Sequence, residues 1–507
     1  MDPERPILLK KEPRLEAKLQ AFAYQAEAVD AIRDREYAAI FHEQGLGKTK
    51  IAIDLMLYWL ENQAVDTVLL VVKKTLLHNW MNELRVHTFM RPLLLTQNHS
   101  ANFYALNTPS RLLLTHYEAV KSEGQRLALF LRTRRVAAIL DESTKIKNPN
   151  AGLTRAFLDL APGFTKRVIM TGTPVANRPE DIWSQICFLD LGASLGTDYE
   201  EFRQSVQLSN DLADDVPAQR DLEMGLEGVF RRISGFTVRE TKQGNVISLP
   251  EKIVHRVHTE WESRQWDLYS QIRDELRAVV VRDGVPAEDN AEPLLKRLLR
   301  LVQVASNPRL IDASYTGEPG KLEYLRDLVS GVHSNGEKCI IWTSFVDNVE
   351  WLARELRGYG AVRVHGRLHI ETRNRNIDRF LSDPKAEVMV ATPAAAKEGL
   401  TLTVANNVIF YDRSFSLDDY LQAQDRVHRI SQTRTCMVHN LIMGDSIDEW
   451  VESLLHAKHV AAQLTQGDIS LAHYQSTMAY DFGDILRGVL GIQSAQGRND
   501  DGQASLG

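Results

Sequence analysis

His42-Glu43-Gln44-Gly45-Leu46-Gly47-Lys48-Thr49 follows a short apolar run at residues 37–41 and opens a helical pattern over 49–61. Strand, glycine-rich turn and helix in that order are what a phosphate-binding loop requires. Gly45 and Gly47 carry no Cβ, so backbone N–H groups can turn toward phosphate oxygens. The helix N-terminus adds partial positive charge. Lys48 is expected to reach the β and γ phosphates, and the Thr49 hydroxyl to ligate Mg2+. Gln44, Gly45, Leu46, Gly47, Lys48, Thr49 and Lys50 are therefore the expected contacts of ATP. His42 stands where the generic pattern has its first glycine. The plainer reading, a solvated lysine on a glycine-rich turn, is weakened by the flanking strand and helix.

Further apolar runs surround this loop. They lie at 67–72, 111–115, 136–140 and 167–170, and a second set at 338–342, 361–364, 387–391 and 407–411. Their length and Val, Ile and Leu content suit strands buried on both faces of a parallel sheet. Helical patterns between them, such as 348–357, point to α/β architecture. Two sets imply two sheets. Residues 191–232 and 261–310 read instead as charged, amphipathic helical insertions without a convincing strand. The crossing between the halves is expected near 237–252. Residues 493–507, rich in Gly, Gln, Ser and Asp, are expected to be disordered.

The run at 136–140 ends in Asp141-Glu142-Ser143-Thr144. An acidic pair alone usually marks a solvated loop. After a buried run and downstream of a phosphate loop, it reads as chemistry. Asp141 can hold Mg2+, and Glu142 can take a proton from an attacking water. Much later come Gln422-Ala423-Gln424-Asp425-Arg426-Val427-His428-Arg429-Ile430-Ser431-Gln432. Arg426 and Arg429, three apart, share a helix face and could reach a γ-phosphate. By themselves, two such arginines are more often a solvated face.

Composition sets limits rather than identity. The 507 residues allow about three or four structural units. Lys plus Arg total 60 against 67 Asp plus Glu, a net charge of −7, so any nucleic-acid contact must come from a local cleft. Three separated cysteines, Cys187, Cys339 and Cys436, argue against a zinc ribbon or disulfide framework. No apolar run approaches the ~18 residues of a membrane span. Residues 1–14 do not read as a signal peptide. A cytoplasmic protein, bacterial or from a viral host cell, is the expectation, acting as a monomer without a membrane.

The order of these motifs resembles the Swi/Snf-type branch of superfamily-two helicase-like ATPases over about residues 20–460. Phe22-Ala23-Tyr24-Gln25 is similar to its Q motif, which implies that Gln25 reads the adenine. His42 to Thr49 resembles its DEMGLGKT, a form that also lacks the first glycine. Leu77-His78-Asn79-Trp80 and Leu114-Thr115-His116-Tyr117-Glu118 resemble motifs Ia and Ib. Asp141 to Thr144 reads DEST where the family has DEAH or DEGH. Thr171-Gly172-Thr173-Pro174-Val175-Ala176-Asn177 resembles motif III. Leu249-Pro250-Glu251-Lys252 resembles the inter-lobe LPPK segment, and Asn307-Pro308 the CNHP element. Lys321-Leu322, residues 342–345, and His365-Gly366 with Arg373 and Phe380 are similar to later family elements. Glu398-Gly399-Leu400-Thr401-Leu402-Thr403 resembles motif V, with Ala394-Ala395-Ala396 in place of AGG. Arg413-Ser414-Phe415-Ser416 replaces the usual Trp-Asn-Pro. Gln422, Arg426, Arg429 and Gln432 match motif VI.

The resemblance implies two RecA-like lobes with helical insertions. The first would span 1–235, with an insertion at about 191–235. A linker with its own helical insertion would occupy 236–318, the second lobe 319–470 and a partly disordered tail 471–507. It further implies one ATP and Mg2+ between the lobes, Arg426 and Arg429 acting from the second. Thr171, Gly172, Thr173 and Gln422 would couple the sites. Lys73, Lys74, Thr115, Thr343, Thr401 and Thr403 would touch a nucleic-acid backbone without reading sequence. The lysine pair also reads as an exposed loop, and the arginines at 132, 134 and 135 more often as a solvated one. A double-stranded DNA translocase serving fork remodelling, annealing, recombination or repair is the leading expectation. A strand-separating helicase on DNA or RNA, and a non-catalytic DNA-binding scaffold, are the alternatives.

Overall fold

The computed structural model describes residues 14–175, 177–209, 212, 214–242, 249–283, 291–396, 400–429 and 431–491. The expected disordered stretch 493–507, Glu398 and Gly399 of motif V, Ala176 of motif III and Ile430 of motif VI lie outside them. The chain divides into two compact units: 1–175, 180–204 and 228–246 in the first, 176–179, 205–227 and 247–507 in the second.

The first unit is built on strands β1 (Tyr37–Ile40), β2 (Thr67–Val72), β3 (Leu93–Leu94), β4 (Leu112–His116), β5 (Val136–Asp141), β6 (Lys166–Met170) and β7 (Thr237–Val238). They form one parallel sheet in the order β3-β4-β2-β5-β6-β1-β7. Every residue of β2, β4 and β5 is buried, which is why these segments read as unbroken apolar runs rather than alternating ones. Helices Ala23–Ile32, Lys48–Glu61 and Leu77–His87 supply one face of the core, with Trp59 and Trp80 packed among Ile51, Leu55, Val68, Leu70 and Ile139.

The second unit carries β8 (Lys252–Thr259), β9 (Cys339–Trp342), β10 (Val362–Val364), β11 (Val388–Ala391), β12 (Asn407–Phe410) and β13 (Cys436–Met443). Its parallel order is β10-β11-β9-β12-β13-β8. Helices Lys321–Ser334 and Val346–Glu355 cover it through Leu325, Val329, Val349 and Leu352.

Two boundaries differ from the sequence reading. The linker expected over 236–318 contains strands at both ends of the crossing: β7 pairs with β1, and β8 pairs with β13 over its whole length. β8 is an edge strand whose side chains are mostly exposed, so its sequence lacks the buried-strand signature. The insertion expected wholly within the first lobe also divides, residues 205–227 belonging to the second unit. Contacts from the C-terminal helices account for this. Gln475 Nε2 donates to Glu223 at 2.7 Å, and Arg487 pairs with Asp214 at 2.8 Å. Helices Leu471–Thr477 and Phe482–Val489 thus order part of the expected tail.

Candidate functional site

In the first unit, strand register brings three loops to one edge. Ile40 of β1 lies opposite Met170 of β6, and Met170 lies opposite Asp141 of β5. The glycine-rich loop, Thr171-Gly172-Thr173 and Asp141-Glu142 therefore leave adjacent strands side by side at their C-terminal ends, where parallel α/β sheets bind ligands.

The loop is held from beneath. Gly47 has φ 72°, a left-handed backbone that favours glycine, and an added Cβ would stand 2.2 Å from Gln25 Nε2, displacing that amide from the loop. Gln25 donates to Leu46 O at 3.3 Å and accepts from Phe22 N at 3.0 Å, and Tyr24 Oη donates to Leu46 O at 3.1 Å. The Gln25 amide, expected to read the adenine, is thus bonded to Leu46 of the loop. Lys48 is buried, its ammonium donating to His42 O at 2.9 Å and Glu43 O at 3.3 Å. Thr49, in the first helical turn, is half-buried. Lys50 forms an ion pair with Asp54 one turn along the helix.

The acidic pair sits in a different electrostatic setting. Trp80 Nε1 donates to Asp141 Oδ2 at 2.7 Å, and Tyr117 Oη donates to Asp141 O at 2.7 Å. Burial, then the neighbouring Glu142 charge, push the Asp141 carboxyl up to about 6, against the pull of Trp80, Lys48 and Lys73. Glu142 adopts the left-handed backbone, φ 53° and ψ 54°, rare for a residue with a side chain. Gln44 Nε2 donates to Glu142 Oε1 at 3.3 Å, and Lys73 Nζ lies 3.8 Å from Glu142 Oε2. His42 is held neutral: burial first, then the Lys48 charge, bring its ring down to about 4. A buried carboxyl whose proton affinity is raised by burial and by the charge of a neighbouring carboxylate is relieved by a hard divalent cation, and in this respect Asp141 fits Mg2+.

The motif III loop joins this edge directly. Thr171 N donates to Ile40 O at 3.2 Å, and Thr173 N to Thr171 Oγ1 at 3.2 Å. A Cβ on Gly172 would meet Gln44 Cγ at 2.7 Å, so the loop lies against the residue that touches Glu142. Sequence reasoning missed a bridge. Ser143, standing where the family has Ala, donates to Gln185 Oε1 at 2.7 Å, and Gln185 Nε2 donates to Pro174 O at 3.0 Å. The departure at Ser143 was visible in the sequence, but its distant partner carried no local signal.

In the second unit, the helix Leu417–Gln424 ends before Arg426 and Arg429, so the two arginines stand on a turn and do not share the expected helix face. That motif VI turn is bonded on two sides. Arg429 Nη1 donates to Thr401 Oγ1 at 3.1 Å and its Nε to Asp425 O at 2.7 Å, while Arg426 O accepts from Leu402 N at 2.9 Å. On the other side His428 Nε2 donates to Pro250 O at 2.8 Å, and Lys252 Nζ to Gln424 Oε1 at 3.2 Å. Gln422 Nε2 donates to Asp418 Oδ1 at 2.6 Å. Lys48 belongs to the first unit and both arginines to the second.

The expected backbone contacts separate into two kinds. Lys73 is half-buried and Lys74 exposed just past β2, and Thr401 is exposed, with Thr403 half-buried against Ser431. The side chains of Thr115 and Thr343 are fully buried. Thr115 Oγ1 donates to Leu95 O at 3.1 Å, and Thr343 Oγ1 donates to Asp412. Their hydroxyls are committed inside the fold, so neither is offered to a bound strand. Arg135 grips Asp66 at 2.7 Å, a contact within the first unit.

The SNF2-related domain family matches residues 24–310, and the helicase conserved C-terminal domain matches 320–431. An ATP-dependent helicase of Mycoplasma genitalium is 26% identical over 455 residues, covering 87% of this chain and 42% of its own length. An ATP-dependent DNA helicase of Arabidopsis thaliana is 25% identical over 485 residues, covering 88% of this chain and 61% of its own length. The chain thus spans about half the length of these relatives. Among solved structures, the Sulfolobus solfataricus SWI2/SNF2 ATPase core in complex with dsDNA aligns over 91% of this chain and 98% of that one, at 24% identity and a TM-score of 0.41. Among the described residues, no helix is long and apolar enough to cross a membrane.

Proposed function

The chain belongs to the SNF2-related family, and from that premise we propose that it is a nucleic-acid-dependent ATPase that translocates on double-stranded DNA. The observation that carries the reading is the Ile40–Met170–Asp141 register, which sets a glycine-rich loop, a buried lysine and an acidic pair on neighbouring strand ends. Phosphoryl transfer asks little covalent chemistry of a protein; it asks for positioning and charge. Lys48 supplies a cation to the β and γ phosphates in exchange for its two carbonyl partners. Glu142 accepts a proton from the attacking water. Thr49 and Asp141 would hold Mg2+, which neutralises phosphate charge when bound. Arg426 and Arg429 complete the charge complement in the hydrolysing state, so that turnover is tied to opening and closing of the two lobes. Lys73, Lys74, Thr401 and Thr403 contact phosphates without reading bases, giving salt-sensitive, sequence-independent binding.

The test is ATP turnover against duplex, single-stranded, forked and RNA substrates, with strand displacement measured on a labelled partial duplex. Duplex stimulation without strand separation is the expected result. Displacement of the labelled strand would favour a strand-separating helicase instead. No turnover with any substrate would leave a DNA-binding scaffold.

A further inference from the structure

Lys73 stands between the two activities assigned above. It leaves β2 one step past Val72, and β2 lies beside β5 with Val71 opposite Leu140. Two residues further along each strand, the register sets Lys73 beside Glu142. Its ammonium lies 3.8 Å from Glu142 Oε2, and Gln44 Nε2 donates to Oε1 at 3.3 Å. Both carboxylate oxygens therefore face a cation or an N–H of their own unit. That ion pair holds the carboxylate in place on a backbone already in the left-handed region. The lysine side chain keeps 24% of its surface open, and exposed Lys74 follows it.

We propose that Lys73 restrains Glu142 in the free protein and releases it when a nucleic-acid phosphate takes the ammonium. The inference rests on the reading of Glu142 as general base. Nucleic-acid binding then stimulates hydrolysis within the first unit, by exchanging one ion pair for another: the phosphate gains the cation, and the carboxylate is freed to face the water.

The experiment measures ATP turnover of the full chain without DNA and with saturating short duplex DNA, for the wild type, Lys73→Met and Lys73→Arg. Loss of a partly exposed ion pair is worth about 1 kcal/mol, so Lys73→Met should raise DNA-free turnover about fivefold. Turnover at saturating duplex should change little, and the stimulation ratio should fall. The slope of log affinity against log salt should fall by about 1. Lys73→Arg should keep the restraint. DNA-free turnover of Lys73→Met at or below the wild-type value overturns the inference, as does an unchanged salt slope. Glu142→Gln, alone and combined with Lys73→Met, separates the premises. If it leaves turnover intact, the general-base reading fails. If it abolishes turnover while Lys73→Met shows no rise, the restraint alone fails.

Discussion

Each sheet ends in a buried aspartate, and the two are treated oppositely. Asp412, after β12, accepts from Ser306 Oγ at 2.9 Å, Ser344 N at 2.7 Å, Asn348 Nδ2 at 3.3 Å and Thr343 Oγ1. Asp141, the last residue of β5, has one carboxylate donor among the described residues, Trp80 Nε1, and the charge of Glu142 beside it. A buried carboxylate with its hydrogen bonds filled fastens a fold; one left partly unfilled at a ligand-binding edge is poised to be completed by something else. Asp412 ties Ser306, next to Asn307-Pro308, to the loop after β9, and Lys321 is bonded close by to Tyr411 O at 3.1 Å. Those motif residues are structural fasteners. The acidic pair of the first unit is chemistry.

The sharpest break of this contrast lies at Glu142. Replacing it with Gln keeps shape and hydrogen bonding but removes the proton acceptor, so turnover should fall roughly 10²–10⁴-fold. Nucleotide and duplex binding should remain within a few-fold, as measured by equilibrium titration. Near-wild-type turnover would show that the carboxylate does not act as the base.

Asp412→Ala should act on the fold. It leaves three side-chain donors and one backbone N–H without their acceptor, at a cost of about 3–5 kcal/mol. Thermal unfolding of the second unit should drop by roughly 10 °C. A drop no larger than that of a neutral surface substitution would mean that the network re-forms on water.

Most strands were legible in the sequence because buried parallel strands are continuous in hydrophobicity. β13 was not, since His439 and Asn440 interrupt its run, and β3 and β7 are two residues each. The glycine-rich loop and acidic pair were legible because their chemistry demands adjacent residue types. Trp80 as the donor to Asp141 and Gln185 as the bridge from Ser143 to Pro174 were not. Trp80 lies 61 residues from Asp141 and Gln185 lies 42 from Ser143, and only the fold brings them together. Burial of Thr115 and Thr343 was equally invisible: a threonine at a strand end reads alike whether its hydroxyl faces solvent or a carbonyl.

A smaller effect sharpens the contrast through pH. Mg2+ needs the ionised Asp141, whose carboxyl is pushed up to about 6. Binding of MgATP should therefore be near full at about pH 7, fall to about half at about pH 6, and be about tenfold weaker at pH 5 than at pH 7. Binding of ATP in the presence of a chelator should lack this step. A flat profile for MgATP down to pH 5 would place the metal on other ligands.

The smallest effect has the sign that most clearly divides the two aspartates. In the ligand-free chain, Asp141 is charged at pH 7 at a cost, because its folded value lies above the ordinary 3.8. Its stabilising contribution is present below that ordinary value and lost as pH rises through about 6. His42 runs the other way. Its folded value of about 4 lies below the ordinary 6.5, so its contribution is present above 6.5 and lost as pH falls toward 4. In the wild type the two slopes oppose each other between pH 4 and 6.5. Asp141→Asn keeps an acceptor for Trp80 Nε1 and removes the costly charge. It should stabilise the ligand-free first unit at pH 7 by on the order of 1 kcal/mol, where Asp412→Ala destabilises the second. It should also uncover the His42 slope, so that urea unfolding of the variant weakens from pH 6.5 to 5 more steeply than that of the wild type. Destabilisation of Asp141→Asn at pH 7 would mean that Asp141, like Asp412, is a fastener, and the distinction between the two edges would fall.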